Sequence, residues 1–198
     1  PGLFAVDADG KRFRQLVHTV DRLHVSGREP LPAGTQWVAG HPGQQGDEVF
    51  VRRAQEVSRE QVGYYQLFKV DTASGIAREL DSPRHAFSWV FDHQGEPRVA
   101  VSREAGERVL HLREPGGRWR EIARHPWLSP EALEPRAIGA DGTVYVEALH
   151  GNTTAVYTLD PATGRRADEP LVAAKAFDLN PAFLFSGPRL LGLRYLVD

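Results

Sequence analysis

Short stretches in which apolar and polar residues alternate recur along the chain: "AFSWVF" at 86–91 followed by "RVAVS", then "RVLHLR" at 108–113 followed by "RWREIA". Alternation with a period of two marks an extended strand with one face turned to a core, and β-branched and aromatic residues favour that state. Between the runs stand glycines with Asp or Asn nearby, which supply the positive φ that a tight hairpin requires. The pattern predicts antiparallel strands joined by hairpins, with little helix. "LSPEAL" offers Ser129 as an N-cap with Pro130 at the first helical position, and "SREQVG" has room for one turn.

The turns are periodic. One set, Gly10, Gly75, Gly117 and Gly164, is spaced by 65, 42 and 47 residues; an interleaved set, Gly46, Gly95, Gly142 and Gly187, is spaced by 49, 47 and 45. Two series with a common period of about 46 predict a four-stranded antiparallel meander repeated along the chain, the sequence form of a β-propeller blade. Strands are expected at 36–39, 48–53, 64–70 and 76–80; at 86–91, 97–102, 107–113 and 118–124; and at 135–139, 143–149, 153–159 and 165–172. The long first step is assigned to two insertions, "HTVDRLHVSGREPLPAG" and "AQEVSREQVG". Residues 1–17 are expected to be the tail of another blade and 180–198 the first half of one more. The fold class is therefore all-β, a partial β-propeller of about four four-stranded antiparallel blades. A blade hides its apolar faces only against neighbouring blades, so two broken ends predict either association with another surface or a piece of a longer protein.

Composition narrows the partners. With 24 basic and 26 acidic side chains the formal charge is -2, too weak a field to imply nucleic acid or a membrane surface. The 21 arginines outnumber 3 lysines but are scattered among acids. The absence of cysteine excludes disulfides, thiolate metal sites and a cysteine nucleophile, and it fits a bacterial cytoplasm or periplasm equally. No apolar run reaches the roughly 20 residues that span a bilayer, and the first residues lack the regions of a signal peptide.

Candidate chemistry is sparse. No G-x-S-x-G stretch presents a serine nucleophile; Ser26 and Ser186 precede glycine, but in loop or hairpin contexts. His18 and His24, and His85 and His93, lack the spacing of a metal site, so no metal or cofactor is expected. Asp7, Asp71, Asp92, Asp141 and Asp160 all sit beside hairpin turns, where closing the turn is sufficient cause for a carboxylate. "EPGGRW" lacks the lysine and helix of a phosphate loop, and Trp37, Trp89, Trp119 and Trp127 suit packing between blades.

Taken together, "LFKVDTASGIAREL", "WVFDHQGEPRVAV", "AIGADGTVYVEA", "AVYTLDPATGR" and "LLGLRYLVD" resemble the propeller half of bacterial peptidases of the prolyl oligopeptidase family, over roughly residues 64–198. The resemblance implies a seven- or eight-bladed propeller capping a separate α/β-hydrolase domain of the same parent chain. That domain carries the Ser, Asp and His, so no catalytic residue is carried over to this chain. It also implies peptide substrates, sieved by size through a narrow axis. Residues facing that axis would come from the innermost strands, around Trp89, Arg136 and Phe183. Two other readings stay open: a stand-alone propeller scaffold for protein partners, and a propeller hydrolase with a metal held in its channel.

Overall fold

The computed structural model describes residues 2–19, 29–38, 46–58, 61–187 and 189–195. His24, Ser26 and much of the first expected insertion lie outside the described residues. The described residues up to Ser82 form one compact unit and those from Pro83 onward a second.

In the first unit, β1 (Leu3–Ala5) pairs with β2 (Arg14–Val17), and β3 (Gln36–Trp37), β4 (Glu48–Ser58), β5 (Gln61–Asp71) and β6 (Ala77–Glu79) form an antiparallel sheet in chain order. Leu16, Val51, Phe68 and Val70 are its buried centre, packed by Leu3, Leu31, Val49 and Ala77. Phe50 and Val51 are adjacent and both buried, so β4 presents an apolar side chain to each of its faces at this point. The stretch "AQEVSREQVG", expected as a polar insertion, instead contributes to β4 and β5, each 11 residues long.

In the second unit, β7 (Ala86–Phe91), β8 (Pro97–Glu104), β9 (Glu107–Arg113) and β10 (Trp119–Pro126) form one four-stranded antiparallel sheet. The next holds β11 (Glu134–Ile138), β12 (Val144–His150), β13 (Thr153–Asp160) and β14 (Arg165–Arg166). The strand expected at 165–172 is split: β14 and β15 (Val172–Ala173) both pair with β13, and Pro170 lies in the break. Proline cannot donate to a ladder, so the edge strand opens there. A last pair is β16 (Ala182–Ser186) with β17 (Arg189–Arg194).

The two four-stranded sheets of this unit share one core. Val99, Val101, Leu110 and Ile122 from the first pack with Ile138, Val144, Val146, Tyr157 and Leu159 from the second. Each sheet thus hides one face against its neighbour, which is why a single such sheet would not be stable alone. Among the described residues no segment is helical; "LSPEAL" makes a turn in which Ser129 Oγ accepts the Glu131 N–H at 3.1 Å. Leu133, only 2% exposed, and β11 follow at once, leaving no length for a helix.

All eight periodic glycines lie at positive φ, between 53° and 89°. Gly46, Gly95, Gly142 and Gly187 each separate the first strand of a sheet from the second, and Gly75, Gly117 and Gly164 the third from the fourth.

Candidate functional site

β7, β11 and β16 are the first strands of three successive sheets, and each carries one of the residues assigned to the axis. Trp89 on β7 is buried, 9% exposed. Arg136 is the extra residue of a bulge in β11, between Pro135, opposite Val146, and Ala137, opposite Tyr145. A bulge re-aims its side chain, and here the guanidinium reaches onto β12, with Nε and Nη2 donating to Glu147 Oε2 at 2.8 and 2.6 Å. Glu147 is 7% exposed, and its Oε1 has no hydrogen-bond partner among the described residues. Phe183 lies against Tyr145 with ring centroids 5.6 Å apart. Burial, and then the charge of Asp141, push the Tyr145 phenol up. Arg136 and Phe183 are thus both tied to β12, by Glu147 and Tyr145, while Trp89 stands in the adjoining sheet.

The turn carboxylates are engaged by their own turns. Asp92 closes a three-residue hairpin: its N–H donates to the Glu96 carbonyl, and its carbonyl accepts the Gly95 N–H, both at 2.9 Å. Its Oδ1 accepts the N–H groups of Gln94 and Glu96. The same backbone bonds run from Gly139 to Thr143 and from Gly142 to Gly139. Here the first turn residue has no side chain, and Asp141, two places on, supplies the oxygen that accepts the Thr143 N–H at 3.0 Å. A β-carbon on Gly139 would lie 2.6 Å from that oxygen.

"VDTASG" and "LDPATG" form a second type, one residue longer, in which Gly75 and Gly164 donate to the carbonyls of Asp71 and Asp160 at 2.8 Å. The Ser74 N–H, then its hydroxyl, hold the Asp71 carboxyl below the usual range. The Thr143 N–H and hydroxyl do the same for Asp141, and the Ala162 N–H and Thr163 hydroxyl for Asp160. At Asp7 desolvation pushes upward but is outweighed by Arg12 and Arg14, and the carboxyl again falls. Two of these turns wall a cleft of about 490 Å³ in the second unit, with Arg98, Leu112, Thr143, Thr158 and Leu159.

One cluster escaped the reading of the sequence. Ser102 Oγ lies 2.8 Å from His111 Nε2 and donates to Glu104 Oε1 at 3.1 Å. Arg124 binds Glu104, Glu107 and Glu121 together, with closest distances of 3.2, 2.8 and 2.7 Å. Ser102 is fully buried and His111 is 9% exposed. A nucleophile must reach its substrate; a serine closed off in this way serves as a link in a hydrogen-bond chain. His111 faces Ala100 in the ladder, so Ser102 is its diagonal neighbour. That diagonal is visible only once the register is known. Desolvation pushes the imidazole down, against the pull of Glu104 and Glu121.

Two other histidines are engaged locally. His18 Nε2 meets Glu29 at 3.0 Å and His150 Nδ1 meets the Tyr157 hydroxyl at 2.8 Å. Among the described residues no three His, Asp or Glu side chains converge as a metal site would require. Ser186 ends β16 at the hairpin, opposite Arg189.

No protein-family model matches the sequence, and no curated protein matches it. Solved structures resemble this chain to different degrees. Puromycin hydrolase is 18% identical over 85% of this chain, with a TM-score of 0.52. Dipeptidyl peptidase 4 of Porphyromonas gingivalis is 16% identical over 94% of it, with a TM-score of 0.50. TolB of Acinetobacter baumannii is 14% identical over 89%, with a TM-score of 0.49. The chain spans 26%, 25% and 38% of the lengths of those three proteins. The strand order, the paired turns and the likeness to the two hydrolases agree on the architecture: the chain is all-β, a partial β-propeller of four-stranded antiparallel blades.

Proposed function

We propose that this chain is a noncatalytic propeller segment of a serine peptidase of the prolyl oligopeptidase family, restricting the access of peptides to a separate α/β-hydrolase domain. The observation that carries the reading is the shared fold with puromycin hydrolase and dipeptidyl peptidase 4, of which the chain spans about a quarter. The interior of the second unit supports it. The Ser102–His111 pair is sealed from solvent, and the turn carboxylates are engaged by backbone N–H groups rather than offered to a substrate. A ring of blades with a narrow axis would add selectivity by excluding folded substrates, without touching the bond-breaking step. Trp89, Arg136 and Phe183 are the residues we assign to the peptide path.

The test has two arms. The reading frame beyond Asp198 should encode a G-x-S-x-G serine and its partners, and a stop codon within a few residues would overturn the proposal. The 198-residue chain should leave short peptides uncut, while the parent protein cleaves them and spares folded proteins. Cleavage of folded and short substrates at equal rates by the parent would remove the sieving role.

A further inference from the structure

The cleft of about 490 Å³ in the second unit takes one wall from each of two sheets. Arg98 on β8 and Leu112 on β9 come from the first; the turns that carry Asp141 and Asp160, together with Leu159, come from the second. Small-molecule sites enclose roughly 300–1,000 Å³, and in them an apolar lining is met by a few polar groups that fix the ligand's orientation. This cleft has that size and that make-up. Leu112 and Leu159 supply its apolar part, a guanidinium stands on one wall, and two carboxylates stand on the other.

Each charge is anchored on its own sheet. Arg98 Nε donates to the Arg113 carbonyl at 3.2 Å, and Nη1 lies 3.5 Å from Asp92 Oδ2. Nη2 has no partner among the described residues, and the side chain is 33% exposed. On the other wall, Asp141 accepts the N–H and the hydroxyl of Thr143, and Asp160 accepts the Ala162 N–H and the Thr163 hydroxyl. Those bonds fix both carboxylates in place and hold them ionised. An ionised carboxylate has about four acceptor sites, so each keeps capacity for a donor from outside its turn. Among the described residues no ion pair joins Arg98 to Asp141 or Asp160. Opposite charges thus line one cleft without neutralising each other.

We propose that this cleft binds a short peptide with both ends free, its carboxylate on Arg98, its ammonium on Asp141 and Asp160, and an aliphatic side chain against Leu112 and Leu159. A ligand with one charge satisfies one wall only, whereas a zwitterion complements both. Charge-assisted hydrogen bonds of this kind are about twice as strong as neutral ones. Hydrolysis of an amide bond leaves a carboxylate on one product and an ammonium on the other, so peptide cleavage is the class of reaction that supplies such ligands. The cleft holds its ligand and breaks no bond, and the binding stands whether or not the peptidase reading does.

Titration of the 198-residue chain with leucyl-leucine, followed by calorimetry and by amide chemical shifts, tests the proposal. Saturable shifts are expected at Gly142, Thr143 and Thr158, which line the cleft. Affinity should fall about tenfold or more when either end is blocked, in acetyl-leucyl-leucine or in leucyl-leucine amide. Arg98→Gln should erase the preference for a free carboxylate and keep that for a free ammonium, and Asp160→Asn should weaken the second preference alone. Free leucine should bind more weakly than the dipeptide. No saturable shift, shifts confined to residues outside the cleft, equal affinity for free and blocked peptides, or equal affinity for free leucine would overturn it. The blocked peptides act on the unaltered chain, so that comparison decides the matter even if a variant fails to fold.

Discussion

A β-carbon on Gly164 would overlap the backbone carbonyl oxygen of Ile122, on the outermost strand of the neighbouring sheet. The last hairpin turn of one sheet is thus pressed backbone to backbone on β10 of the other. Arg120 fastens the same turn by donating to the Pro161 carbonyl at 3.2 Å.

Two constraints meet at Gly164, a φ of 70° and the contact with Ile122, whereas Gly142 at φ 87° has nothing within 4 Å of its missing β-carbon. Gly142→Ala should cost about 1 kcal/mol, the conformational term alone. Gly164→Ala should cost roughly 3 kcal/mol or more, because displacement of packed backbone is added. Urea denaturation of the two variants measures the difference, and equal costs would mean that the turn does not bear on β10.

The pair Arg136–Glu147 is lopsided, since the carboxylate is 7% exposed while the arginine side chain is 41% exposed. Arg136→Ala leaves a buried charge without its partner and should destabilise by about 3 kcal/mol. Glu147→Gln leaves an arginine that water can reach, and should cost about 1 kcal/mol. Thermal or urea unfolding gives the ordering, and the reverse order would contradict this geometry.

Acid should weaken the turns. The carboxyls of Asp71, Asp141 and Asp160 lie below their ordinary value of 3.8 in the folded state, chiefly through backbone N–H bonds from Ser74, Thr143 and Ala162. Their contribution is complete above that value and is lost as pH falls through the lower folded values. Asp71→Asn and Asp160→Asn keep an acceptor oxygen but cannot titrate, so their stability should fall less steeply below pH of about 4. Denaturation curves at a series of acid pH values check this.

His111 sets a second, milder slope. Burial holds its folded value below the ordinary 6.5, so the native state takes up the proton less readily than the unfolded chain. Stability should therefore decline as pH drops below that ordinary value toward the folded one, and be unaffected above it. His111→Gln should flatten the decline. Nuclear magnetic resonance of the His111 ring should show it titrating below a free histidine; titration at or above 6.5 would refute the burial argument.

The periodic glycines were legible because hairpin chemistry is local: a positive φ near an Asx residue is written within a few positions. β7 and β9 came out at 86–91 and 107–113 as expected, since both are short runs rich in β-branched, aromatic and aliphatic residues bounded by turns. β4 and β5 were expected at 48–53 and 64–70; their further length was not legible, because the run "AQEVSREQVG" carries no alternation of period two. Arg136 was picked out only as an inner-strand residue; its bond to Glu147 depends on a bulge that no local pattern announces. The Arg124 cluster joins residues from three strands whose register had first to be fixed.

Asp92 and Asp141 do one task from different places, the first from the opening position of its turn and the second from two residues later, beside a glycine that leaves the space clear. Neither arrangement converts to the other by a single change. An acid moved to the third position collides with any side chain kept at the first, and a glycine placed at the first without that acid leaves an N–H unserved. The two sites are epistatic, so substitutions there should be inherited in pairs.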